Sequence, residues 1–364
     1  MNGSVQAGPV SVPAAPLSEF MARLFAAAGV PEAAAATVAA GLVEADLEGL
    51  SSHGVMLADM YIERLKKGSV SRSAQAAVVS ERQGAVVLDA GNALGQVTGV
   101  QAMSLAVAKA RQFAAGIVSV RHGFHFGTAG RYARQAAEVG CIGIAMCNTR
   151  PLMPAPGGAE RAVGNNPLAI AIPTDGEIPI VLDMATSEAA MGKIRMAEKA
   201  KEAIPPTWAV TAQGLPTTNP SEAIAGMLLP TAGPKGFGLS FLIDSLCGLL
   251  SQGATGAQVR PLYGDFSIPY DCSHLFIAVD VAYFCDLDGF RRQAAAAAER
   301  IRGGERAPGV SQLFTPGERE WRQRQRSGDR VLLDPAVVAM LIRYADELGV
   351  PAPFQNRVQE KHHV

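Results

Sequence analysis

The chain has 364 residues, enough for one to three packed units and a large hydrophobic core. Its 32 lysine and arginine residues nearly balance 33 aspartate and glutamate residues, and a formal net charge of −1 provides no positive field for nucleic acid or an anionic membrane. With 48% hydrophobic and 18% charged residues, the composition is too apolar for a disordered protein. These values indicate a soluble globular enzyme and disfavour a dedicated nucleic-acid binder.

The first helices along the chain follow directly from the spacing of apolar residues. Residues 1–16 lack a basic start followed by an apolar stretch, so no secretory signal is predicted and we expect a loose arm there. Apolar side chains then recur at helical spacing from Leu17, with Ser18 as the predicted cap. The pattern predicts three helices, over residues 17–29, 31–48 and 57–68. Residues 17–74 therefore form a predicted helical domain.

From residue 75 the periodicity changes to that of a mixed α/β domain, which we expect to extend to residue 286. Short apolar runs predict strands over residues 76–80, 85–90, 117–120, 141–147, 168–172, 178–182 and 275–281. Segments of helical period lie between them, over residues 97–114, 128–139, 187–199 and 238–250. Further helices are predicted over residues 288–302, 318–325 and 334–348. We expect residues 287–350 to pack on the helical domain, and residues 351–364 to form a tail.

The sequence does not support a membrane-spanning protein, a disulfide-linked protein or a zinc knuckle. No window of about 18 apolar residues is free of charge, because even the stretch 236–259 contains Asp244. The five cysteines are an odd number without a C-x-x-C pair, which favours reduced thiols over disulfides or a zinc knuckle. We therefore expect a cytoplasmic protein.

The glycine-rich segments do not match the common nucleotide-binding motifs. Residues 91–99 come nearest to G-x-G-x-x-G, but the spacing is wrong and no acidic residue ends a second strand about twenty residues later. Gly192-Lys193 is followed by Ile194 rather than Ser or Thr, so a P-loop is excluded. A Rossmann fold is consequently disfavoured.

Two histidines lie where packing does not account for them. His53 lies in the polar break between two predicted apolar helices, next to Ser52. His125 lies in the glycine-rich segment 123–130 at a strand-to-helix turn, where backbone N–H groups can approach a ligand. Both histidines are therefore candidates for function.

The other histidines carry weaker signals. His122 and His125 have H-x-x-H spacing, but a pair without a third ligand in register is a weak metal site. His274 opens a predicted strand and receives no role, and His362 and His363 lie in the tail. We predict no bound metal.

A lysine and an aspartate complete the candidates. The segment Gly233-Pro234-Lys235-Gly236 opens a predicted helix, where free N–H groups, the helix dipole and the ammonium group all favour a phosphate. The alternative is that this glycine-rich segment is a structural turn without a ligand.

Asp183 ends an apolar strand, where a carboxylate is costly unless it is paired, so it is a candidate to orient a histidine.

Eight motifs occur in the order seen in the type 2 malate/L-lactate dehydrogenase family, which the chain resembles from about residue 17 to 350. They are Ser-His-Gly-Val at 52–55, His-Phe-Gly at 125–127, Asn-Thr-Arg-Pro-Leu at 148–152, Gly-Asn-Asn-Pro at 164–167, Asp-Met-Ala-Thr-Ser at 183–187, Gly-Lys-Ile at 192–194, Lys-Gly-Phe-Gly at 235–238 and Pro-Gly-Glu at 316–318. The family includes ureidoglycolate, sulfolactate and diketogulonate oxidoreductases and reductases of cyclic ketimines.

The resemblance implies an α/β fold with a mixed sheet, a non-Rossmann NAD(P)-binding body and a helical domain built from the N- and C-terminal segments. It also implies a homodimer with the active site in a cleft between domains. His53 would donate a proton, tied to Ser52 and Asp183, although other branches of the family give the acid/base role to the histidine at the position of His125. Contacts to NAD or NADP are implied for His125, Phe126, Gly127, Asp183, Met184, Ala185, Thr186, Ser187, Pro234, Lys235, Gly236, Gly317, Glu318 and Arg319.

The substrate class follows from two departures from the family pattern. Malate- and lactate-like members often carry an arginine just before Ser-His-Gly and another shortly after it, where this chain has Glu48 and Leu57. A guanidinium group is the usual clamp for a carboxylate, so a dicarboxylate such as malate is disfavoured. Arg150, beside Thr149, is the candidate clamp for one carboxylate, with a surface or dimer ion pair as the alternative.

The predicted activity is therefore the NAD(P)-dependent interconversion of a small 2-oxo monocarboxylic acid and its 2-hydroxy acid. A cyclic ketimine reductase, acting on pyrroline-2-carboxylate or piperideine-2-carboxylate, is an alternative within the same class. A cofactor-binding homologue without turnover is an alternative from another class, and a metal hydrolase using His122 and His125 is more remote. No nucleic-acid or membrane partner is expected.

Overall fold

The computed structural model describes residues 8–354, which fall into two compact units. The helical unit contains the described residues up to Ala74 and from Arg319 onward, and the sheet unit contains Gln75–Glu318. Residues 287–318, expected to pack on the helical domain, thus group with the sheet unit. Most of the predicted tail, including His362 and His363, lies outside the described residues.

The described residues contain eleven α-helices, and every helix longer than six residues coincides with a predicted one. They are α1 (Ala14–Ala27), α2 (Glu32–Leu47), α3 (Ala58–Lys67), α4 (Gly95–Phe113), α5 (Gly130–Glu138), α6 (Met191–Ala200), α7 (Pro220–Ala225), α8 (Pro234–Ser251), α9 (Leu287–Arg302), α10 (Glu318–Ser327) and α11 (Pro335–Leu348).

The same residues contain thirteen strands, of which the predicted ones form the large sheet. They are β1 (Val10–Pro13), β2 (Ala77–Arg82), β3 (Ala85–Asp89), β4 (Ala115–Gly123), β5 (Cys141–Cys147), β6 (Met153–Pro154), β7 (Arg161–Val163), β8 (Leu168–Ile172), β9 (Ile180–Met184), β10 (Ala209–Val210), β11 (Met227–Leu228), β12 (Cys272–Asp280) and β13 (Arg330–Leu333).

The N-terminal segment differs from the prediction in two ways. The expected loose arm is wrong over Val10–Pro13, because this segment pairs with β13 as an antiparallel strand. Ser18 is not the cap of α1, which begins at Ala14 and has no side-chain cap. Pro16 lies in the first turn of the helix, where its missing N–H costs no hydrogen bond, so the helix begins before the apolar period does.

A mixed seven-stranded sheet forms the core of the sheet unit, in the order β2-β3-β4-β12-β5-β8-β9. Only β3 and β4 pair in parallel within this sheet. The central strand β12 is almost fully buried, and it pairs antiparallel with β4 on one side and β5 on the other. The prediction of an α/β fold with a mixed sheet is confirmed.

Two glycines allow helices to pack closely on this sheet. A Cβ atom at Gly116 of β4 would lie 2.0 Å from the carbonyl oxygen of Ala106 in α4, and one at Gly143 of β5 would lie 2.2 Å from that of Ala133 in α5. Both distances are far below van der Waals contact, so a larger residue would push the helix off the strand. The glycines therefore set the spacing between the helix layer and the central strands.

Two short strand pairs, β6 with β7 and β10 with β11, were not predicted. They share a small hydrophobic core with α6 and α7, in which Met153, Ile194 and Leu228 are fully buried. Strands of two or three residues are too short to show a period in the sequence. Among the described residues, no helix is long and apolar enough to span a bilayer.

Candidate functional site

The Ser-His-Gly motif forms a tight double turn in the helical unit. After α2 the chain makes two short 3-10 turns, Ser51–His53 and Val55–Leu57, joined at Gly54. Ser52 Oγ lies 3.0 Å from Nδ1 of His53, as the family resemblance implies. Burial lowers the pKa of His53, which favours the neutral imidazole at neutral pH. The turn thus presents a half-buried histidine beside a hydroxyl group.

Asp46, which belongs to none of the sequence motifs, holds this turn in place. Its Oδ2 accepts a hydrogen bond from the backbone N–H of Val55 at 2.8 Å, and its side chain also bonds to Ser51. A Cβ atom at Gly54 would lie 2.2 Å from Asp46 Oδ1, so only glycine fits there. Burial raises the pKa of Asp46 to about 6, although both hydrogen bonds oppose that shift. The only available signal was an acidic residue near the end of an apolar helix.

Glu48 lies at a position where the family resemblance led us to expect an arginine, and the structure gives its carboxylate an arginine partner. Arg324 of α10 places Nη1 4.0 Å from Oε1 of Glu48 and 3.4 Å from Oε1 of Glu44. Glu48 is only 9% exposed, so this neighbour offsets part of the cost of burying the carboxylate. The sequence alone could not show that Arg324, near the other end of the chain, lies beside Glu48.

His125 lies in the sheet unit, on a loop that aromatic stacking holds against the end of the sheet. The Phe126 ring stacks on His274 of β12, with centroids 4.6 Å apart and planes 9° apart, and on Tyr132 of α5 at 5.0 Å. The Tyr132 hydroxyl also donates a hydrogen bond to the Phe126 carbonyl. Gly127 follows with φ 81°, a conformation that favours glycine. The half-buried side chain of His125 therefore stands on a fixed backbone.

Asp183 has a helix-capping role in the sheet unit. Its Oδ2 accepts a hydrogen bond of 2.7 Å from the backbone N–H of Gly130, the first residue of α5. A carboxylate is favourable there, because the N-terminus of a helix carries a partial positive charge. The orienting role that the resemblance gives it toward His53, a residue of the other unit, stays a prediction.

Backbone hydrogen bonds join β9 and the residues after it to two other parts of the chain close to the implied cofactor residues. Thr186 accepts a hydrogen bond of 2.9 Å at its carbonyl from the N–H of Thr231, three residues before α8 begins. On the other side, the N–H of Val181 donates to the carbonyl of Pro316 at 3.1 Å. A Cβ atom at Gly317 would lie 2.7 Å from the Val181 carbonyl oxygen, so this approach requires glycine. Residues 181–186 therefore bond both to the turn before α8 and to the segment at Pro316-Gly317, all within the sheet unit.

Lys235 and Glu318, both implied in cofactor binding, differ in their exposure to solvent and in their surroundings. Lys235 is exposed in the first turn of α8, where the free N–H groups suit an anion. Glu318 is fully buried, and its Oε2 accepts hydrogen bonds from Arg302 Nε at 2.9 Å and from the N–H and hydroxyl of Thr315. The Glu318 carboxylate thus has structural partners in the interior. Arg319 belongs to the helical unit.

Thr149 and Arg150 follow β5 and have different surroundings. The N–H of Thr149 donates to Oδ1 of Asn166 at 2.7 Å, which fixes this backbone to the Gly-Asn-Asn-Pro segment. Arg150 is half-buried, and burial together with the positive charges of Arg161 and Arg195 lowers its pKa. A cation in such surroundings favours an anionic ligand, because the ligand would relieve both effects.

The His122–His125 pair does not form part of a metal-binding group. Nδ1 of His122 lies 3.0 Å from both carboxylate oxygens of Asp89, which also binds Arg121. Within residues 8–354, neither histidine belongs to a group of three potential metal ligands. This geometry disfavours the metal-hydrolase alternative.

Comparison with known proteins identifies the family. The malate/L-lactate dehydrogenase family model matches residues 12–341. The chain belongs to this family of dehydrogenases. It is 36% identical to a malate dehydrogenase from Pyrococcus abyssi over 326 residues, covering 87% of this chain and 89% of the relative. It is 35% identical to the NAD(+) ureidoglycolate dehydrogenase of Escherichia coli O157:H7, covering 86% and 90%, and 33% identical to an NADP(+) (2R)-3-sulfolactate dehydrogenase of Chromohalobacter salexigens, covering 88% and 93%.

Solved structures of the family share the fold. The malate dehydrogenase of Entamoeba histolytica superposes with a TM-score of 0.89 at 30% identity, covering 95% of this chain and all of that one. The Δ1-piperideine-2-carboxylate reductase of Pseudomonas syringae pv. tomato superposes with a TM-score of 0.79 at 26% identity, covering 92% and 100%. Hydroxyacid dehydrogenases and a cyclic ketimine reductase therefore share the architecture of this chain.

Asp46→Asn is expected to stabilise the protein increasingly as the pH rises. Burial raises the pKa of Asp46 in the folded state from 3.8 to about 6. The protonated carboxyl group therefore contributes to the free energy of unfolding, and this contribution is fully present below pH 3.8 and is lost as the pH rises through 6. Asparagine keeps an acceptor for the Val55 N–H without a buried charge. Melting temperatures of both proteins between pH 4.5 and 8 test this prediction.

Glu32→Gln, which removes an exposed carboxylate from the same helix, controls for the loss of charge alone. We expect the difference in melting temperature between Asp46→Asn and the unmodified protein to change with pH more than that of Glu32→Gln. A constant difference for Asp46→Asn would contradict the assignment.

Proposed function

We propose that the protein is an NAD(P)-dependent oxidoreductase that interconverts a small 2-oxo acid and its 2-hydroxy acid. The hydrogen bonds that join Thr186 to Thr231, just before α8, and Val181 to Pro316 carry this proposal, because the resemblance implies cofactor contacts for residues beside each of them. The exposed Lys235 at the start of α8 suits a phosphate of the cofactor. The relatives named for NAD(+) and NADP(+) leave both as candidate cofactors.

When bound, a reduced nicotinamide would supply a hydride to the carbonyl carbon of the substrate. The carbonyl oxygen then needs a proton, and a histidine with a pKa near neutrality is suited to donate it. We assign this role to His53, with Ser52 as its hydrogen-bond partner. Burial favours neutral His53 in the ligand-free chain, and an anionic substrate beside it would favour the protonated form.

The preferred substrate is proposed to be a monocarboxylate. Arg150 is the proposed carboxylate clamp, because burial and its cationic neighbours Arg161 and Arg195 favour an anion there. Glu48 and Leu57 replace two arginines often found in malate- and lactate-like members. The proximity of Arg324 to Glu48 reduces the repulsion expected from that carboxylate, so the preference rests mainly on the missing clamp. A cyclic 2-imino acid is the second candidate, supported by the structural similarity to a ketimine reductase.

The protein is further proposed to act as a homodimer in the cytoplasm. Helix α8 exposes an unusual number of large apolar side chains, between 41% and 66% accessible, at Phe241, Leu242, Leu246, Leu249 and Leu250. An apolar face of this kind is typical of an interaction surface. A second copy fits best, because the implied dimer needs a self-complementary face and this one carries no charged residue from Phe241 to Leu250 other than Asp244. None of the five cysteines, all within the described residues, forms a disulfide, consistent with a reducing compartment.

NADH or NADPH is expected to bind in the micromolar range and to raise the melting temperature. A ligand that binds only the folded state stabilises it by about 2.7 kcal/mol at a concentration of 100 times Kd. Thermal scans over a concentration series of each nucleotide measure the effect. If neither nucleotide shifts the transition, cofactor binding is disproved.

His53→Ala is expected to lower kcat by roughly 10²–10⁴-fold, the usual contribution of general acid–base catalysis. The Kd of the reduced nucleotide should stay unchanged, because the proposed role of His53 concerns the substrate proton. Steady-state kinetics and nucleotide titration give the two values. His125→Ala is the matched comparison: loss of activity there, with near-normal kcat in His53→Ala, would exchange the roles. A normal kcat in both His53→Ala and His125→Ala would show that neither histidine donates the proton.

Pyruvate or pyrroline-2-carboxylate is expected to give a higher kcat/KM than oxaloacetate, since the pocket lacks the second clamp. Arg150→Ala should raise KM far more than it lowers kcat, because a clamp binds ground and transition states alike. Arg150→Lys, which keeps the charge without the two-pronged geometry, should give an intermediate KM. A clear preference for oxaloacetate, or an unchanged KM in Arg150→Ala, would disprove this view of the substrate.

Light scattering is expected to give a mass twice the chain mass of 37.9 kDa for the unmodified protein. Leu246→Glu together with Leu249→Glu should give the monomer mass, because two buried carboxylates would oppose association. Met196→Glu, at an exposed methionine of α6, is the control and should remain dimeric. A monomeric unmodified protein, or a dimeric double variant, would contradict the assignment to α8.

A further inference from the structure

Three soft metal ligands meet in the interior of the sheet unit. Cys272 and His274 lie on β12, and Cys147 ends β5, where it pairs directly with His274 in the antiparallel register. Their ligand atoms all lie within 4.8 Å of one another, and Cys272 Sγ is 3.2 Å from His274 Nε2. All three residues are at most 4% exposed. We call these residues the Cys-Cys-His cluster.

The dimensions of the cluster fit a tetrahedral d10 cation. Zinc bonds of about 2.3 Å to sulfur and about 2.0–2.1 Å to nitrogen place neighbouring ligand atoms roughly 3.5–3.8 Å apart. Side-chain movements of under about 1 Å would bring the three atoms to those separations. The carbonyl oxygen of Asn148, 3.0 Å from Cys147 Sγ, or a water molecule is available for the fourth position.

Charge balance also favours a divalent ion. Two thiolates and a neutral imidazole carry a charge of −2, so a divalent cation makes the set neutral, which a fully buried site requires. Binding would release the two thiol protons, and it would occur during folding because the ligands are enclosed afterwards.

We propose that Cys147, Cys272 and His274 form a site for a thiophilic divalent cation such as Zn²⁺, separate from the proposed catalytic reaction. The site joins the end of β5 to the start of β12. Because His274 stacks on Phe126, the ion would also fix the loop that carries His125. Its expected effect is therefore structural, as a cross-link under that loop.

Elemental analysis tests the proposal on the intact protein, produced with zinc in the medium and freed of loosely bound metal by gel filtration. We expect about one equivalent of zinc per chain. The double variant Cys147→Ser, Cys272→Ser should lose it, whereas Cys141→Ser, which removes a buried thiol at the other end of β5, should retain it. When the proteins are produced with Cd²⁺ in place of zinc, the absorption spectra of the unmodified protein and of Cys141→Ser should show a thiolate-to-metal charge-transfer band. The double variant Cys147→Ser, Cys272→Ser should lack this band.

His274→Phe is the second variant, in case the double variant fails to fold. It keeps an aromatic ring to stack on Phe126 and removes one ligand, so it should fold and lose the metal. Zinc below about a tenth of an equivalent in the unmodified protein would overturn the proposal. Equal zinc in His274→Phe or in the folded double variant would overturn it as well, as would an intact mass showing a Cys147–Cys272 disulfide.

Discussion

The antiparallel pairing of β12 with both β4 and β5 is the constraint on which the rest of the sheet unit depends. Because β12 starts where the other two strands end, the segments after β4 and β5 leave the sheet at the same edge. Asn148 secures this edge: its side chain accepts from the N–H of Ser273 at 2.7 Å and donates to Asp244 and to the carbonyl of Ala254 at 2.8 Å. The loop of His125 and the segment of Arg150 therefore start from a rigid base.

Three carboxylates hold backbone segments in place: Glu318 is fully buried, Asp46 is half-buried and Asp183 is exposed. Asp183 caps α5, Asp46 holds the turn of His53, and Glu318 binds Arg302 and Thr315. The buried Glu318 carboxylate is costly unless hydrogen bonds or cations satisfy it, so it selects one arrangement of Arg302 and Thr315. Of the three, Asp46 bears most directly on the proposed chemistry, because it holds the turn that carries His53.

Desolvation acts in the same direction on the two side chains to which the proposed function gives the main roles. It lowers the pKa of His53 in the helical unit and that of Arg150 in the sheet unit. In both cases a nearby anion would stabilise the cationic form of the side chain, because its negative charge offsets the lost hydration. This behaviour suits a substrate that carries a carboxylate and accepts a proton as it is reduced.

The sequence by itself determined the class of the fold, most of its elements and the family. Apolar periodicity located α2 and α3 within a residue or two and β5 and β8 to the residue, since local burial leaves a regular pattern in the chain. The motifs around His53, His125 and Asp183 carried the family resemblance.

Only the tertiary structure decided which residues meet. Val10–Pro13 pairs with β13, Arg324 reaches Glu48, and Cys147 lies beside His274, in each case across most of the chain or between strands far apart in it. Such contacts depend on the order of strands in a sheet and the packing of distant segments, which leave no periodic signal in one sequence.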